Sequence, residues 1–284
     1  MMNLLVTGHK GYIGSSLFWS LKGKGYNVRG IDLKEGRDVI DGLEFDDGFE
    51  PEVIFHLAAI PRVVYSIENP VEVMRNNIQS TSVVLEYAKK VNAMVVYSSS
   101  SSVEGNGSGP ESPYALSKLV GELETLLYNK LYNLRTVALR YFNVYSVSQV
   151  ADGPYATCVA NWRCHIEEKR VPYITGDGEQ RRDMAHLSDV VAANIFCMEN
   201  RNNEELIGKA FDVGTGNNIS LNEMKDIVLS VLPDQHFVYT DPRPGDVMTT
   251  KANIQPLLDL GWKPEVHITE GIKACFLEFS DEKD

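Results

Sequence analysis

The stretch Val6-Thr7-Gly8-His9-Lys10-Gly11-Tyr12-Ile13-Gly14 constrains this chain more than any other. It follows a short apolar run, Asn3-Leu4-Leu5-Val6, that reads as a buried strand. It precedes a segment in which Ile13, Leu17 and Leu21 mark one helix face. Strand, glycine turn and helix in that order open a βαβ unit. Gly8 permits the tight turn, Gly11 lets backbone approach a pyrophosphate, and Gly14 lets helix and strand pack closely. The helix N-terminus attracts the anion. Asp32 ends the next apolar run, about 20 residues on. An acid there holds adenosine ribose hydroxyls and repels a 2′-phosphate, which favours NAD over NADP.

Strand-like and helix-like segments alternate, which implies a parallel sheet with helices on both faces. The expected fold is α/β, an NAD-binding Rossmann fold with a doubly wound parallel sheet. Strands are expected at 3–6, 26–32, 53–57, 94–98 and 135–142. Long helices are expected from Pro70 to about Lys90 and from about Ser112 to Tyr132. The link from Asp32 to Asp38 is too short for a full crossover, so one helix of the usual winding is missing before a weak strand at 37–40. Later, His186 to Asn200 reads as a helix capped by Ser188, and Phe211-Asp212-Val213 as a strand. Ser220-Leu221-Asn222-Glu223 is a capping-box signal, and a last helix is expected at about 269–279.

Composition excludes several classes. The net charge of −12 argues against a protein that grips phosphate backbones. No run of about 18 apolar residues exists, so no membrane span is expected. Met1 leads almost directly into the first strand, so no signal peptide is expected and the protein is placed in the cytoplasm. The four cysteines form no CxxC pair and read as small buried hydrophobes. His9 and His165 have no partners at metal-ligand spacing, and no metal is expected.

The tract Ser98-Ser99-Ser100-Ser101-Ser102 has linker composition, yet it ends an apolar run and precedes a helix. Open α/β sheets bind ligands at such strand ends. Tyr114 and Lys118 are four apart at a helix start and project from one face. An ammonium beside a phenol favours the phenolate and so makes a general base.

These residues resemble the extended short-chain dehydrogenase/reductase family, in its nucleotide-sugar epimerase branch. The likeness runs nearly end to end. It includes the TGxxGxxG loop at 7–14, His56-Leu57-Ala58-Ala59, the serine tract and Tyr114-xxx-Lys118. It continues through Arg140-Tyr141-Phe142-Asn143-Val144-Tyr145, then 176–183 (Gly-Asp-Gly-Glu-Gln-Arg-Arg-Asp) and Arg243-Pro244-Gly245-Asp246. The resemblance implies that Ser100 bonds the sugar O4, that Tyr114 is the base, and that Lys118 holds the nicotinamide ribose and tunes Tyr114. It also implies cofactor contacts at Tyr12, Ile13, Asp38, Val39, Leu57, Ala58, Ala59, Ser98 and Tyr141. Residues 1–145 with about 183–214 would form the NAD-binding domain. About 146–182 with 215–284 would form a smaller α/β nucleotide-sugar-binding domain. A homodimer through the two long helices is the family's habit.

The neighbours of Ser100 discriminate between reactions. Dehydratases of this family place Asp-Glu after that residue, and decarboxylating members place Glu second; here they are Ser101 and Ser102. What remains is 4-epimerisation of a UDP-hexose. Glu104 departs from the family's usual tyrosine. It reads as a solvated loop residue, although in an extended segment it would share a face with Ser100 and Ser102. At the nucleotide-sugar end, the resemblance assigns Arg182 and Arg243 to the diphosphate and Asp246 to the nucleotide ribose. It assigns Asn143 to diphosphate or sugar and Tyr173 to the base. His186 reads as a packed histidine at a helix start. Thr250 borders the sugar's 2-substituent, and its small size leaves room for an acetamido group. With the stretch from Gly153-Pro154-Tyr155-Ala156 to Trp162, this favours UDP-GlcNAc/UDP-GalNAc, alongside UDP-Glc/UDP-Gal. A nucleotide-sugar 4-reductase of the same fold and a catalytically silent NAD-binding regulator are the competing readings.

Overall fold

The computed structural model describes residues 1–61, 63–149, 157–242 and 247–280. Its strands are β1 (Asn3–Thr7), β2 (Asn27–Ile31), β3 (Val53–His56), β4 (Met94–Ser100), β5 (Thr136–Tyr141), β6 (Tyr173–Thr175), β7 (Arg181–Asp183), β8 (Lys209–Val213), β9 (Asn218–Ser220) and β10 (Val238–Thr240). Its helices are α1 (Tyr12–Gly23), α2 (Val63–Glu68), α3 (Pro70–Val91), α4 (Pro113–Tyr132), α5 (Cys158–Glu167), α6 (Leu187–Glu199), α7 (Leu221–Val231), α8 (Gln255–Asp259) and α9 (Ile268–Ala274). The chain divides into two compact units. The first holds Met1–Tyr141, Val190–Asp212 and Gln255–Trp262, and the second holds Phe142–Asp189, Val213–Ile254 and Lys263–Asp284.

The first unit is built on a six-stranded sheet of order β2-β1-β3-β4-β5-β8. The pairs from β2 through β5 are parallel. Leu4, Leu5 and Val6 are fully buried, as are Val53, Ile54 and Phe55 and then Met94, Val95 and Val96. Such continuous apolar runs occur because helices cover both faces of a parallel sheet, so no strand face meets water. β1 lies between β2 and β3, so the chain reverses its direction of winding there. Such switch points open a crevice at the carboxyl ends of the strands. The glycine loop after β1 and the serine tract ending β4 both lie at those ends.

The structure corrects four local expectations. Positions 37–40 do not form a strand. Asp32 accepts from Lys34 N, and Asp38 accepts from Ile40 N, closing 3₁₀ turns at Leu33–Glu35 and Val39–Asp41. Side-chain-to-backbone bonds of this kind compete directly with a strand ladder. After Ser100 the chain also turns, as a 3₁₀ segment at Ser101–Val103, rather than running on extended. Ser188 does not cap α6. It lies inside the first turn, with Oγ 2.8 Å from His186 Nδ1. The last helix ends at Ala274, followed by a separate 3₁₀ turn at Leu277–Phe279.

The second unit has shorter elements. β7 pairs antiparallel with β9, and β6 pairs parallel with β10. Ser220 and Glu223 form the expected capping box at the start of α7. Tyr145, Trp162, Ile174, Met184, Met224, Val228, Ile272 and Phe276 fill its core.

Candidate active site

The glycine loop is shaped by contacts that exclude any side chain. Gly8 has φ +73°, and a Cβ there would stand 2.7 Å from Ala58 N. A Cβ on Gly14 would stand 2.1 Å from the Gly8 carbonyl oxygen. Gly11 is the N-cap of α1 and supplies no side-chain cap, so Tyr12 and Ile13 begin the helix with their N–H groups facing outward. Asp32 is buried, and its carboxylate accepts from Lys10 N (2.8 Å) and Lys34 N (2.9 Å). A carboxylate has about four acceptor sites, so it retains capacity for a ribose diol. The nearby Lys10 ammonium pairs with Glu35 at 2.7 Å, which leaves that cation compensated rather than waiting for a 2′-phosphate. These features fit NAD. Asp38 serves its own turn, and Val39 is buried in the core.

A buried polar chain fixes the next loop. Thr81 donates to the Asn77 carbonyl (2.8 Å), so it accepts from His56 Nε2 (3.2 Å). His56 Nδ1 is then the acceptor for the Thr7 hydroxyl at 2.8 Å. Thr7 Oγ1 in turn accepts from Ala58 N (3.2 Å), and Asn77 clamps both backbone groups of Ile60. Leu57, Ala58 and Ala59 are held between these two anchors. Burial, reinforced by the charge of Lys118, pushes the His56 pKa down to about 3. Asn77 and Thr81 carried no signal in the sequence, and Thr7 was visible only as the first letter of the glycine motif, because their bonds depend on pairing between distant elements.

α4 positions the predicted catalytic pair. Ser112 caps the helix by accepting from Ala115 N (3.1 Å), and Pro113 takes the first helical position. Tyr114 therefore stands in the first turn, with Lys118 one turn later on the same face. Burial pushes the Tyr114 pKa up, and the neighbouring Ser100 hydroxyl pulls it back down. Lys118 reaches back to the end of β4. Its ammonium donates to the Ser98 carbonyl at 2.7 Å and lies 5.1 Å over the Tyr97 ring. Burial lowers its pKa to about 8. Ser98 Oγ meets the Tyr141 hydroxyl at 3.0 Å, and Tyr141 continues to Asn194.

Glu104 is an exposed loop residue, as its position suggests. Its carboxylate accepts from Arg140 Nη1 at 2.8 Å. The rest of that guanidinium grips buried Glu122 through Nη2 (2.7 Å) and Nε (3.0 Å), and Glu122 also accepts from Ser99 Oγ (2.6 Å). The turn after β4 is thus tied on both sides, at Ser99 and at Glu104. Glu122 was missed in the sequence. Its spacing, four residues beyond Lys118, was the available signal.

In the second unit Asn143 adopts φ +37°, unusual for a non-glycine residue. Its Nδ2 donates to the Asp183 carbonyl (2.6 Å) and to Thr250 Oγ1 (3.3 Å). Thr250 also accepts from Asp183 N at 3.2 Å. Fully buried Asp183 accepts from Thr215 N and Oγ1, Gly216 N and Ala252 N at 2.7–3.0 Å. It organises the loops around Thr250, a role its motif position did not disclose. Arg182 is half-buried, while neighbouring Arg181 is occupied by Asn218 and Glu223. Tyr173 is half-buried, and its carbonyl accepts from Trp162 Nε1 (2.8 Å). His186 is half-buried against Tyr145. Arg243, Asp246 and the segment 153–156 lie outside the described residues. Among the described residues no group of three or more His, Cys, Asp or Glu is placed to hold a metal ion. Among them, no helix is long and apolar enough to cross a membrane.

Residues 4–214 match the NAD dependent epimerase/dehydratase family. A putative UDP-glucose 4-epimerase from Methanocaldococcus jannaschii is 33% identical, covering 95% of this chain and 96% of that protein. The UDP-N-acetylglucosamine 4-epimerase of Methanobrevibacter ruminantium, solved with UDP-N-acetylmuramic acid, superposes with a TM-score of 0.89 at 29% identity over 99% of both chains. The UDP-glucose 4-epimerase of Thermotoga maritima, solved with UDP-glucose, gives 0.86 at 29% identity over 100% of both. With its glycine loop, its Asp32 carboxylate and a family match over most of its length, this chain belongs to the NAD dependent epimerase/dehydratase family.

Proposed function

We propose that this enzyme is an isomerase that inverts C4 of a UDP-hexose. The observation that carries the reading is the set at the end of β4. Ser100 neighbours Tyr114 and favours its charged form, Lys118 lies one turn along α4, and Ser101 and Ser102 follow where the family resemblance puts acids in eliminating or decarboxylating members. The nearby carboxylates of Glu104 and Glu122 are both bound to Arg140. NAD, when bound, supplies a reversible two-electron oxidation at C4. Tyr114 takes the O4 proton and returns it, so no net proton is consumed. Ser100 bonds O4 and keeps it within reach of the phenol. Lys118 holds the nicotinamide ribose with the donors left free by Ser98.

Residues 1–145 with about 183–214 bind the cofactor, and the remainder binds the nucleotide sugar. The small side chain of Thr250 supports UDP-GlcNAc and UDP-GalNAc as substrates beside the plain hexoses. Leu116, Leu123, Leu127 and Leu131 recur on α4 and are 42%, 56%, 48% and 59% exposed. This exposed apolar stripe supports a homodimer in which a second copy covers it. The four free cysteines support a cytoplasmic enzyme.

The test is incubation of purified protein, without added cofactor, with UDP-Glc, UDP-Gal, UDP-GlcNAc and UDP-GalNAc, followed by separation of products. C4 epimers are expected, and denatured protein should release NAD. Protein that carries no dinucleotide and acts only with added NADPH is a reductase instead.

A further inference from the structure

Ser102 occupies a position that decides reaction type among this chain's relatives, and the epimerase reading gives it no task. Its surroundings do. Ser102 Oγ makes one hydrogen bond among the described residues, donating to Ser100 Oγ at 2.9 Å. Its backbone N–H points to the same oxygen at 3.3 Å. A serine hydroxyl has one proton to give and two lone pairs to fill. With both donors of Ser102 on its lone pairs, Ser100 has only its proton left to offer. Tyr114 is the titratable neighbour on which that hydroxyl acts, favouring its charged form.

The 3₁₀ turn is what makes this possible. In an extended strand, residues two apart lie on one face but stand about 6–7 Å apart along the chain. The tight turn at Ser101–Val103 brings the two hydroxyls into contact, and the Ser99 and Glu104 ties hold it there.

We propose that Ser102 is a positioning residue that fixes the Ser100 hydroxyl as a donor toward Tyr114. It acts through Ser100, and the proposal rests on the epimerase reading only for its kinetic consequence. An oriented donor favours the phenolate over the phenol. Chains of hydroxyls polarise one another, so the second link strengthens the first. The other titratable groups in this region are Tyr97 on β4, Lys118 and Glu122 on α4, Glu104 after the turn and Arg140 on β5. None is bonded to Ser102, so removing its hydroxyl leaves them in place.

Ser102→Ala deletes the side-chain donor and keeps the backbone one. One neutral hydrogen bond corresponds to roughly a 5- to 10-fold loss of kcat. KM should stay unchanged, and the rising limb of kcat/KM against pH should move to higher pH. Ser102→Thr restores the hydroxyl and should recover most of the loss. A raised KM with unchanged kcat overturns the proposal, because Ser102 then binds substrate directly. A wild-type pH limb also overturns it. A second readout is independent of turnover. The ultraviolet titration of wild type minus Tyr114→Phe isolates one phenolate, and the same difference in a Ser102→Ala background should titrate at higher pH. Coincident difference curves sink the proposal even if no UDP-sugar is ever turned over. Absence of epimerisation by wild type, with the difference curves separated, sinks the epimerase reading alone.

Discussion

The two units solve different problems. In the first, candidate site residues sit at the ends of long buried strands or the start of a long helix, and their polar atoms are paired before any ligand arrives. His56, Thr7, Thr81 and Asn77 form one closed chain. Ser99, Glu122, Arg140 and Glu104 form another. In the second, β6, β7, β9 and β10 have three residues each. There one buried carboxylate, Asp183, gathers separate loops around Thr250. A regular sheet gives stiffness, which a proton transfer needs in order to hold reacting atoms in line. Loops pinned at one point can change shape by substitution without disturbing a sheet, and substrate choice is set in such places. Under the proposed function, the comparison assigns chemistry and selectivity to separable parts of this chain.

The strongest way to break that division is Tyr114→Phe. It deletes the phenol oxygen and keeps the ring. General acid–base groups contribute about 10²–10⁴ in rate, so kcat should fall at least that far for all four UDP-sugars, while sugar binding persists in a titration of the purified protein. Near-wild-type turnover would make another group the base.

Thr250→Tyr probes the second unit. Overfilling a packed site typically costs about 1–3 kcal/mol, roughly a 5- to 150-fold loss. That loss should fall on UDP-GlcNAc and UDP-GalNAc, with UDP-Glc and UDP-Gal largely spared, read as kcat/KM for each pair. The hydroxyl of Thr250 is itself bonded to Asp183 and Asn143. Thr250→Val therefore serves as the control. It deletes the hydroxyl at constant size and should lower both pairs alike. Equal losses for both pairs in the tyrosine variant mean that Thr250 is not the gate.

The smallest effect concerns the closed interior of the first unit. His56 has its pKa held near 3 in the folded chain, against an ordinary 6.5. A depressed histidine contributes stability that is complete above about pH 6.5 and is lost as pH falls toward 3. Urea unfolding should show about 1 kcal/mol less stability at pH 5.5 than at pH 7 from this group alone. His56→Gln should flatten that slope. An identical slope in the variant would mean that the buried chain is not what titrates.

How far the sequence reached follows the same boundary. Gly8, Gly14 and Asp32 were legible because backbone sterics and helix dipoles admit few residue types at a strand–turn–helix junction. Tyr114 and Lys118 were legible because helical spacing puts them on one face. Glu104 was legible as a loop residue, but its pairing with Arg140 was not, because the two are 36 positions apart. Asp183 and Asn143 were visible only as letters in a motif, since their bonds run to Thr215, Ala252 and Thr250 from other loops.

The sequence by itself determined the sheet, the cofactor loop, the catalytic spacing and the shortfall of one crossover helix, all of which follow from periodicity and local backbone chemistry. Only the tertiary structure decided the hydrogen-bond directions. It set the proton of His56 on Nε2, gave the Lys118 ammonium the Ser98 carbonyl as acceptor, and folded Ser102 back onto Ser100. A hydroxyl, an imidazole or an ammonium carries no direction in a sequence, because direction is fixed by whichever acceptors the fold brings within about 3 Å.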